Sequence, residues 1–218
     1  MLKNFKDYKN LKVLVTGSTG FKGSWLCYWL YKEGAKVIGV SLKPERDEKL
    51  FTALNLNKKI DQHFINILDY KKLANLIKIK KPDIIFHLAA KSLVSDGYHQ
   101  PIETFKTNII GSANVLNLLR GNKHISLVYV TSDKCYLNNN QNLTFKEEDI
   151  LGGNDNYSAS KAGAEIIFNS YFKSYFNQEK LRLASARAGN VIGGGDLKKN
   201  RIIPDIYKSI KSGKKLII

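Results

Sequence analysis

Tyr157 and Lys161 stand four residues apart in Tyr157-Ser158-Ala159-Ser160-Lys161. On a helix this spacing puts both side chains on one face. A free tyrosine has a pKa of about 10, too high for a base at neutral pH, and a neighbouring ammonium favours its phenolate. Tyr157 is thus a candidate base, and Lys161 a candidate tuning group that can also hold a ribose. A second polar set, Ser132-Asp133-Lys134, directly follows the apolar run 125–131. A hydroxyl, a carboxyl and an amine at the end of a strand suit proton transfer to and from a sugar. The third set is Gly17-Ser18-Thr19-Gly20-Phe21-Lys22-Gly23, a Gly-x-x-Gly-x-x-Gly turn. Its glycines permit a tight turn and close backbone approach to a pyrophosphate, and a following helix offers unpaired N–H groups to the anion. A P-loop is excluded, because Lys22 precedes Gly23 and Ser24 where Gly-Lys-Ser/Thr is needed.

The surrounding pattern supplies elements that can position these groups. Residues 11–16 form a β-branched run that enters the glycine turn. Residues 20–33 carry Phe21, Trp25, Leu26, Trp29 and Leu30 at helical spacing, and Gly34 follows as a C-cap. Strands are expected at Lys36–Ser41, 61–67, 83–87, 125–131 and 181–188. Helices are expected at 69–79, capped by Asp69 and ended by Pro82, at 101–120 and at 157–176. Residues 137–156 are polar and asparagine-rich, hence a loop, with a low-complexity patch at 138–140. Strands alternating with helices give βαβ units, and so an α/β, doubly wound parallel sheet of Rossmann type with right-handed crossovers. Sites in such sheets lie at the carboxyl ends of strands, which brings Ser132, Asp133 and Lys134 to the cleft of Tyr157.

The second strand should end near an acidic residue if a ribose 2′-hydroxyl is bound. Ser41 holds that position, with Lys43 and Arg46 beyond it and Glu45 able to reach back. The residues alone leave NAD and NADP both open.

The chain has 218 residues, a formal net charge of +16 and 43% hydrophobic residues, which excludes a disordered tail, a collagen-like repeat and a coiled coil. A chain of this length buries roughly 70% of its unfolded surface and needs no disulfide or metal staple. Cys27 and Cys135 read as buried thiols of a reducing compartment. No apolar run approaches the ~20 residues that cross a bilayer, and no signal-type apolar segment follows the lysine-rich N-terminus. These features indicate a cytoplasmic protein with no membrane partner. Only five of the 35 basic residues are arginine. Lysines spread along the whole chain suit a solvated surface better than nucleic-acid readout. His63, His87, His99 and His124 lack metal-ligand spacing, and His87, at the end of a buried run, reads as a structural histidine.

At these residues the sequence resembles the extended short-chain dehydrogenase/reductase superfamily and, within it, the nucleotide-sugar 4,6-dehydratases that act on CDP-glucose. The resemblance is carried by TGSTGFKGSWL (16–26), HLAAKSLV (87–94), TNIIGSANVL (107–116), VTSDKCY (130–136), LGGNDNYSASK (151–161), RAGNVIGGGD (187–196) and RIIPD (201–205). It implies a redox-neutral lyase that binds NAD and turns CDP-glucose into its 4-keto-6-deoxy form. Tyr157 takes the proton of the sugar 4-hydroxyl, Ser132 shares that hydrogen bond, and Lys161 tunes Tyr157. Asp133 acts as the acid on the 6-hydroxyl, and Lys134 takes a proton-transfer role.

The resemblance further implies that Asn66 and Ile67 border the adenine and that Leu88, Ala89, Ala90 and Lys91 pass beside the cofactor. Asn108 organises the site, and Asn190 and Arg201 contact the nucleotide sugar. It implies an NAD-binding domain over 1–188, the beginning of a substrate-binding region over 189–218, and a homodimer. The chain departs from the pattern at Ser18, Asn66, Lys91 and Gly97, where His, Asp, Gln and Ser are usual, and the expectation is a C-terminally truncated member ending in an apolar strand at 216–218. An epimerase or decarboxylase of the same fold, and a cofactor-binding fragment without turnover, are the alternatives.

Overall fold

The computed structural model describes residues 8–45, 49–138, 144–177, 181–213 and 215. Arg46, the low-complexity positions 139 and 140, and the strand expected at 216–218 lie outside the described residues.

Six strands form one parallel sheet: β1 (Lys12–Thr16), β2 (Lys36–Ser41), β3 (Asp61–Phe64), β4 (Ile84–His87), β5 (Ser126–Ser132) and β6 (Leu183–Ala188), in the order β3-β2-β1-β4-β5-β6. The order reverses between β1 and β4, so their carboxyl ends border the switch-point crevice where open α/β sheets bind ligands. β1 and β2 read as near-continuous apolar runs because helices cover both sheet faces.

On one face, Val13, Val15 and Val37 pack against Cys27 and Leu30 of α1 (Phe21–Lys32) and against Phe51 of the short α2 (Leu50–Ala53). On the other, Leu14, Ile38, Val40, Ile85, Leu127 and Tyr129 meet three helices. These are α3 (Tyr70–Lys80), with Leu73, Leu76 and Ile77, then α6 (Ser112–Leu119), with Val115, Leu116 and Leu119, and α7 (Asn156–Tyr171), with Ala164 and Phe168. Between β4 and α6 run α4 (Val94–His99) and α5 (Pro101–Phe105), and α8 (Ile202–Ser212) follows β6.

Local chemistry sets most boundaries. The Asp69 carboxylate accepts the Lys72 N–H at 3.1 Å and starts α3. Gly34, at φ 82°, closes α1. The α/β class stands as expected, with corrections in detail. The strand expected over 61–67 ends at Phe64, because the Asn66 carboxamide accepts the Leu68 N–H at 3.0 Å and turns the chain toward α3. The single helix expected over 101–120 is divided: α5 and α6 are joined by a wider, π-type turn, Lys106–Gly111, that holds Asn108 buried. The end of the 157–176 helix widens in the same way over Phe172–Phe176. α2 and α4, too short for a periodic signal, were not anticipated. The polar loop after Cys135 is tied across its base by a bridge between Tyr136 and Leu151 and by the Leu137 N–H, which donates to the Ile150 carbonyl at 2.9 Å.

Leu116 is fully buried between helix and sheet, whereas Ile110, on the preceding turn, is exposed. Leu116→Ala is predicted to cost about 2–5 kcal/mol in equilibrium urea unfolding, and Ile110→Ala under about 0.5 kcal/mol.

Candidate active site

The glycine turn is built by backbone contact. Gly17 has φ 75°, donates its N–H to the Val40 carbonyl at 2.7 Å, and lies so near β4 that a Cβ would sit 2.9 Å from the Ala89 nitrogen. A Cβ on Gly23 would fall 2.0 Å from the Gly17 carbonyl oxygen, so only glycine lets the first turn of α1 close on the loop. Ser24 Oγ donates to the carbonyls of Ser18 and Thr19, both at 3.2 Å, which draws those oxygens inward. α1 then starts from Gly20 with no side-chain cap and no acidic residue in its first turn, leaving its N–H groups for an anion. Phe21, Lys22 and Trp25 line a cleft of about 440 Å³ with Leu26, Leu88 and the segment 191–194.

Thr16 joins this turn to β4. Its hydroxyl accepts the N–H groups of Leu88 and Ala89, both at 3.1 Å, and pairs with His87 Nδ1 at 2.7 Å. His87 Nε2 meets Ser112 Oγ at 2.9 Å. With both nitrogens bonded and burial holding its pKa down to about 3, His87 is the structural histidine expected. Asn108 bonds on three sides: its carbonyl accepts the Lys91 N–H at 2.8 Å, and its amide donates to the Lys91 carbonyl at 3.0 Å and to Ser160 Oγ at 2.8 Å. It thereby fixes the segment after β4, with Ala90 and Lys91, against α7.

Asp155 caps α7, accepting the N–H groups of Tyr157 at 2.9 Å and Ser158 at 3.0 Å. Tyr157 and Lys161 share one face of the helix, with Lys161 Nζ 6.0 Å from the Tyr157 ring centre, and both are buried. Ser132 ends β5 beside them. Its hydroxyl donates to Asp133 Oδ1 at 3.0 Å and accepts the Lys134 N–H at 3.3 Å, while Lys134 Nζ lies 4.0 Å from Asp133 Oδ2. Gly97 of α4 seats against Tyr157: a Cβ there would meet the Tyr157 nitrogen at 2.8 Å.

Burial raises the Tyr157 pKa, and Asp133 and Asp155 add to that rise, whereas a hydrogen bond with Ser132 and the charge of Arg201 oppose it. Burial, reinforced by Lys22, draws Lys161 down to about 8. Lys22 is lowered by burial and by Arg201. Lys22, Lys161 and Arg201 therefore bring positive charge to one side of the cleft.

Among the substrate-side candidates, Asn190 is exposed and Arg201 is held by Asp196 at 2.9 Å and by Ser92 at 3.4 Å. Asn66 and Ile67 lie apart from the Tyr157 group, beyond β3. Asn66 is exposed, and the Ile67 side chain lies beneath Gly111, where a Cβ would meet it at 2.5 Å. Lys43 is exposed past β2.

Sequence reading missed a supporting pair, Glu165 and Arg187. Arg187 donates to Glu165 Oε2 at 2.9 Å, to the Tyr136 hydroxyl at 2.9 Å and to the Glu147 carbonyl at 2.9 Å. Thr131 Oγ1 donates to the other carboxylate oxygen, Oε1. The pair thus brackets the 132–135 turn from Thr131 to Tyr136. A signal was present: Glu165 continues the stripe Tyr157, Lys161 into the buried face of α7. Cys27 and Cys135 are buried free thiols, raised by burial to about 12 and about 11. Among the described residues no group of His, Cys, Asp or Glu could hold a metal ion.

Lys161 gives a signed pH dependence. Its pKa is about 8 folded and 10.5 at its ordinary value. Between those values the unfolded chain holds more protons, so stability rises with pH across that window, and below it the full cost of the buried charge remains. Lys161→Met is predicted to melt above the parent at neutral pH in calorimetry, with a margin that narrows toward pH of about 10; a margin constant with pH would contradict this.

A GDP-mannose 4,6 dehydratase family model matches residues 14–216. The CDP-glucose 4,6-dehydratase of Salmonella typhimurium is 44% identical over 99% of this chain and 61% of its own length. The dTDP-D-glucose 4,6-dehydratase of Dictyostelium discoideum is 32% identical over 100% of this chain and 52% of its own. The chain therefore spans about three fifths and about half of these relatives. Among solved structures, dTDP-glucose 4,6-dehydratase from Bacillus anthracis in complex with NAD superposes with a TM-score of 0.78 at 27% identity, covering 94% of this chain and 63% of that one. The sheet order, the glycine turn and the Tyr157–Lys161 helix accord with that match, and the chain belongs to the GDP-mannose 4,6 dehydratase family.

Proposed function

We propose that this chain is the cofactor-binding and catalytic part of a nucleotide-sugar 4,6-dehydratase that acts on CDP-glucose with NAD. The observation that carries the reading is the convergence of Ser132, Asp133, Lys134, Tyr157 and Lys161 beside the glycine turn at one end of the sheet. Similarity to the Salmonella CDP-glucose enzyme supports the choice of base.

The turn fits a dinucleotide: its backbone leaves no room for a Cβ at Gly17 or Gly23, and its helix N-terminus is uncapped. Residues 17–23 would hold the pyrophosphate, Leu88, Ala89, Ala90 and Lys91 would line the cofactor's path, and Asn66 and Ile67 would flank its adenine. When bound, NAD supplies a hydride acceptor that later returns the hydride, so the sugar undergoes no net oxidation. Tyr157 Oη takes the proton of the 4-hydroxyl, and Ser132 orients that hydroxyl. Because burial raises the Tyr157 pKa, positive charge within the cleft is what favours its phenolate. Asp133, half-exposed and bonded to Ser132, gives its proton to the departing 6-hydroxyl, which leaves as water. Lys134, whose Nζ lies 4.0 Å from Asp133 Oδ2, takes the C5 proton that the neighbouring 4-ketone has acidified, so that the C5–H and C6–O bonds break together. Asn190 and Arg201 lie on the substrate side.

In this reading residues 1–188 form the cofactor domain and 189–218 begin the substrate region. It also includes a cytoplasmic location and a homodimer. Exposed Ile102, Ile110 and Ile166, on neighbouring helical segments, support the dimer. No described helix is long and apolar enough to cross a membrane.

Product mass spectrometry tests the reading. The chain with NAD is incubated separately with CDP-, dTDP-, UDP- and GDP-glucose, and loss of one water is expected from CDP-glucose alone. Absence of water loss from every sugar, in folded protein that binds NAD, would overturn turnover by this chain. Tyr157→Phe is predicted to lower turnover by about 10²–10⁴-fold while leaving cofactor affinity nearly intact; turnover at the parent rate would rule out Tyr157 as the base.

A further inference from the structure

The side chains of the proposed reacting set fall into two groups held by different contacts. Tyr157 is fixed at the start of its own helix. Asp155 accepts its N–H at 2.9 Å, Ser160 Oγ donates to its carbonyl at 2.6 Å, and Asn108 donates to that same Ser160 oxygen at 2.8 Å. Asp133 and Lys134 lie instead in the turn after β5, and Glu165 and Arg187 hold both ends of that turn. Thr131 Oγ1, just before it, donates to Glu165 Oε1. The Tyr136 hydroxyl, just after it, accepts from Arg187 Nη1 at 2.9 Å, and Nη2 of the same guanidinium donates to Glu165 Oε2 at 2.9 Å.

The Glu165 side chain is 1% exposed and that of Arg187 14%. Withdrawing two charges from water to this extent offsets much of their attraction, so stability alone does not explain the pair. Its geometry is more specific. A guanidinium presents its donors in one fixed plane. Here they serve a carboxylate on α7, a hydroxyl behind the turn and, through Nη1, the Glu147 carbonyl at 2.9 Å in the polar loop. The Tyr136 ring stacks on Phe145 of that loop at 4.7 Å, and the Gly152 N–H donates to the Cys135 carbonyl at 2.9 Å. Glu165 lies about two helical turns beyond Tyr157 on α7. Arg187 thus ties the turn that bears Asp133 to the helix that bears Tyr157.

We propose that Arg187, anchored by Glu165, is a positioning residue for the elimination half of the reaction. It holds Lys134 where the C5 proton is taken and Asp133 where a proton is given to the 6-hydroxyl that leaves as water. The step at Tyr157 relies on that residue's own supports. This rests on the dehydratase reading above and adds to it a division of the supports between the two halves of the reaction.

Cysteine labelling and kinetics test it together. The sequence has two cysteines, Cys135 in the turn and Cys27 on α1, and both are fully buried. Maleimide labelling of the intact chain therefore reads local release of the turn against loss of the whole fold. Arg187→Lys keeps a charge for Glu165 and gives up the fork. It is expected to speed labelling of Cys135 about tenfold, with Cys27 at the parent rate. With CDP-glucose and NAD it is expected to lower kcat about 10²-fold at unchanged KM. Borodeuteride quenching is then expected to trap a 4-keto sugar that still carries its 6-hydroxyl. Cys135 labelling at the parent rate would overturn the grip, and a slowed variant that traps no such sugar would overturn its restriction to elimination. Should both cysteines label together, that variant has lost its fold, and Glu165→Gln with Arg187→Met, which buries no charge, decides by the same comparison. A parent chain that turns over no sugar would overturn the dehydratase reading and the elimination role with it, while the labelling still reads the grip.

Discussion

Three backbones meet without side chains between them at the point where the sheet reverses order, and the rest of the site follows from that contact. The first turn of α1 closes on Gly17 through Gly23, and Gly17 in turn lies against Leu88 and Ala89 at the end of β4. A single Cβ at either glycine would displace main chain, which has no rotamer by which to yield. Thr16 secures the same junction with its hydroxyl, and His87 behind it spends both ring nitrogens on structure. From this junction the segment 88–91 runs to Asn108, and Asn108 hands it to α7. The helix bearing Tyr157 and Lys161 is thus positioned relative to the glycine turn by a continuous set of short contacts rather than by loop packing.

Electrostatics divides the cleft into two parts. Below the catalytic turn, Glu165 and Arg187 neutralise each other, and their remaining hydrogen-bonding capacity goes to Thr131, Ser185 and Tyr136. A buried pair of this kind does not by itself stabilise a fold, because desolvation offsets the attraction. Its evident effect is geometric: it grips the chain on both sides of Ser132, Asp133 and Lys134. Above the turn, by contrast, burial lowers Lys22 and Lys161, with Arg201 adding to the first and Lys22 to the second. That region is energetically strained for cations and favourable for anions, which is the condition a diphosphate ligand requires.

How much of this could be read beforehand depended on sequence distance. The central strands were legible because burial on both faces makes runs such as Lys36–Ser41 uniformly apolar apart from their ends. The glycine turn, the Asp69 cap and the Tyr157–Lys161 stripe were legible because their partners lie within a few residues. The division of the 101–120 helix was not, since a π-type turn leaves apolar periodicity nearly unchanged while moving Asn108 inward. Nor was the hydrogen bonding among Ser18, Ser41 and Gln62, which are 23, 44 and 21 residues apart. The burial that shifts both Tyr157 and Lys161 was not legible either: spacing reports which groups are near, whereas a pKa also depends on how much water each has lost.

The two sides of the cleft differ in how firmly they are held. The cofactor side is backbone against backbone, with glycines in contact and carbonyls tied inward. The side after β6 is joined to the rest by side-chain contacts: Trp25 Nε1 to the Gly194 carbonyl at 2.9 Å, Lys198 to Glu45 at 3.7 Å, Arg201 to Ser92 at 3.4 Å, and Asn200 to Ser95 at 3.4 Å. Gly189, Gly193, Gly194 and Gly195 fall in that segment, so its backbone has conformations open to it that the first turn does not. On the proposed reading, such an arrangement would keep Ser132, Asp133 and Tyr157 in register with the glycine turn while the segment after β6 adjusts to its ligand. The two sides of the cleft thus come from different parts of the chain, one fixed by backbone contact at the sheet and the other joined to it through side chains.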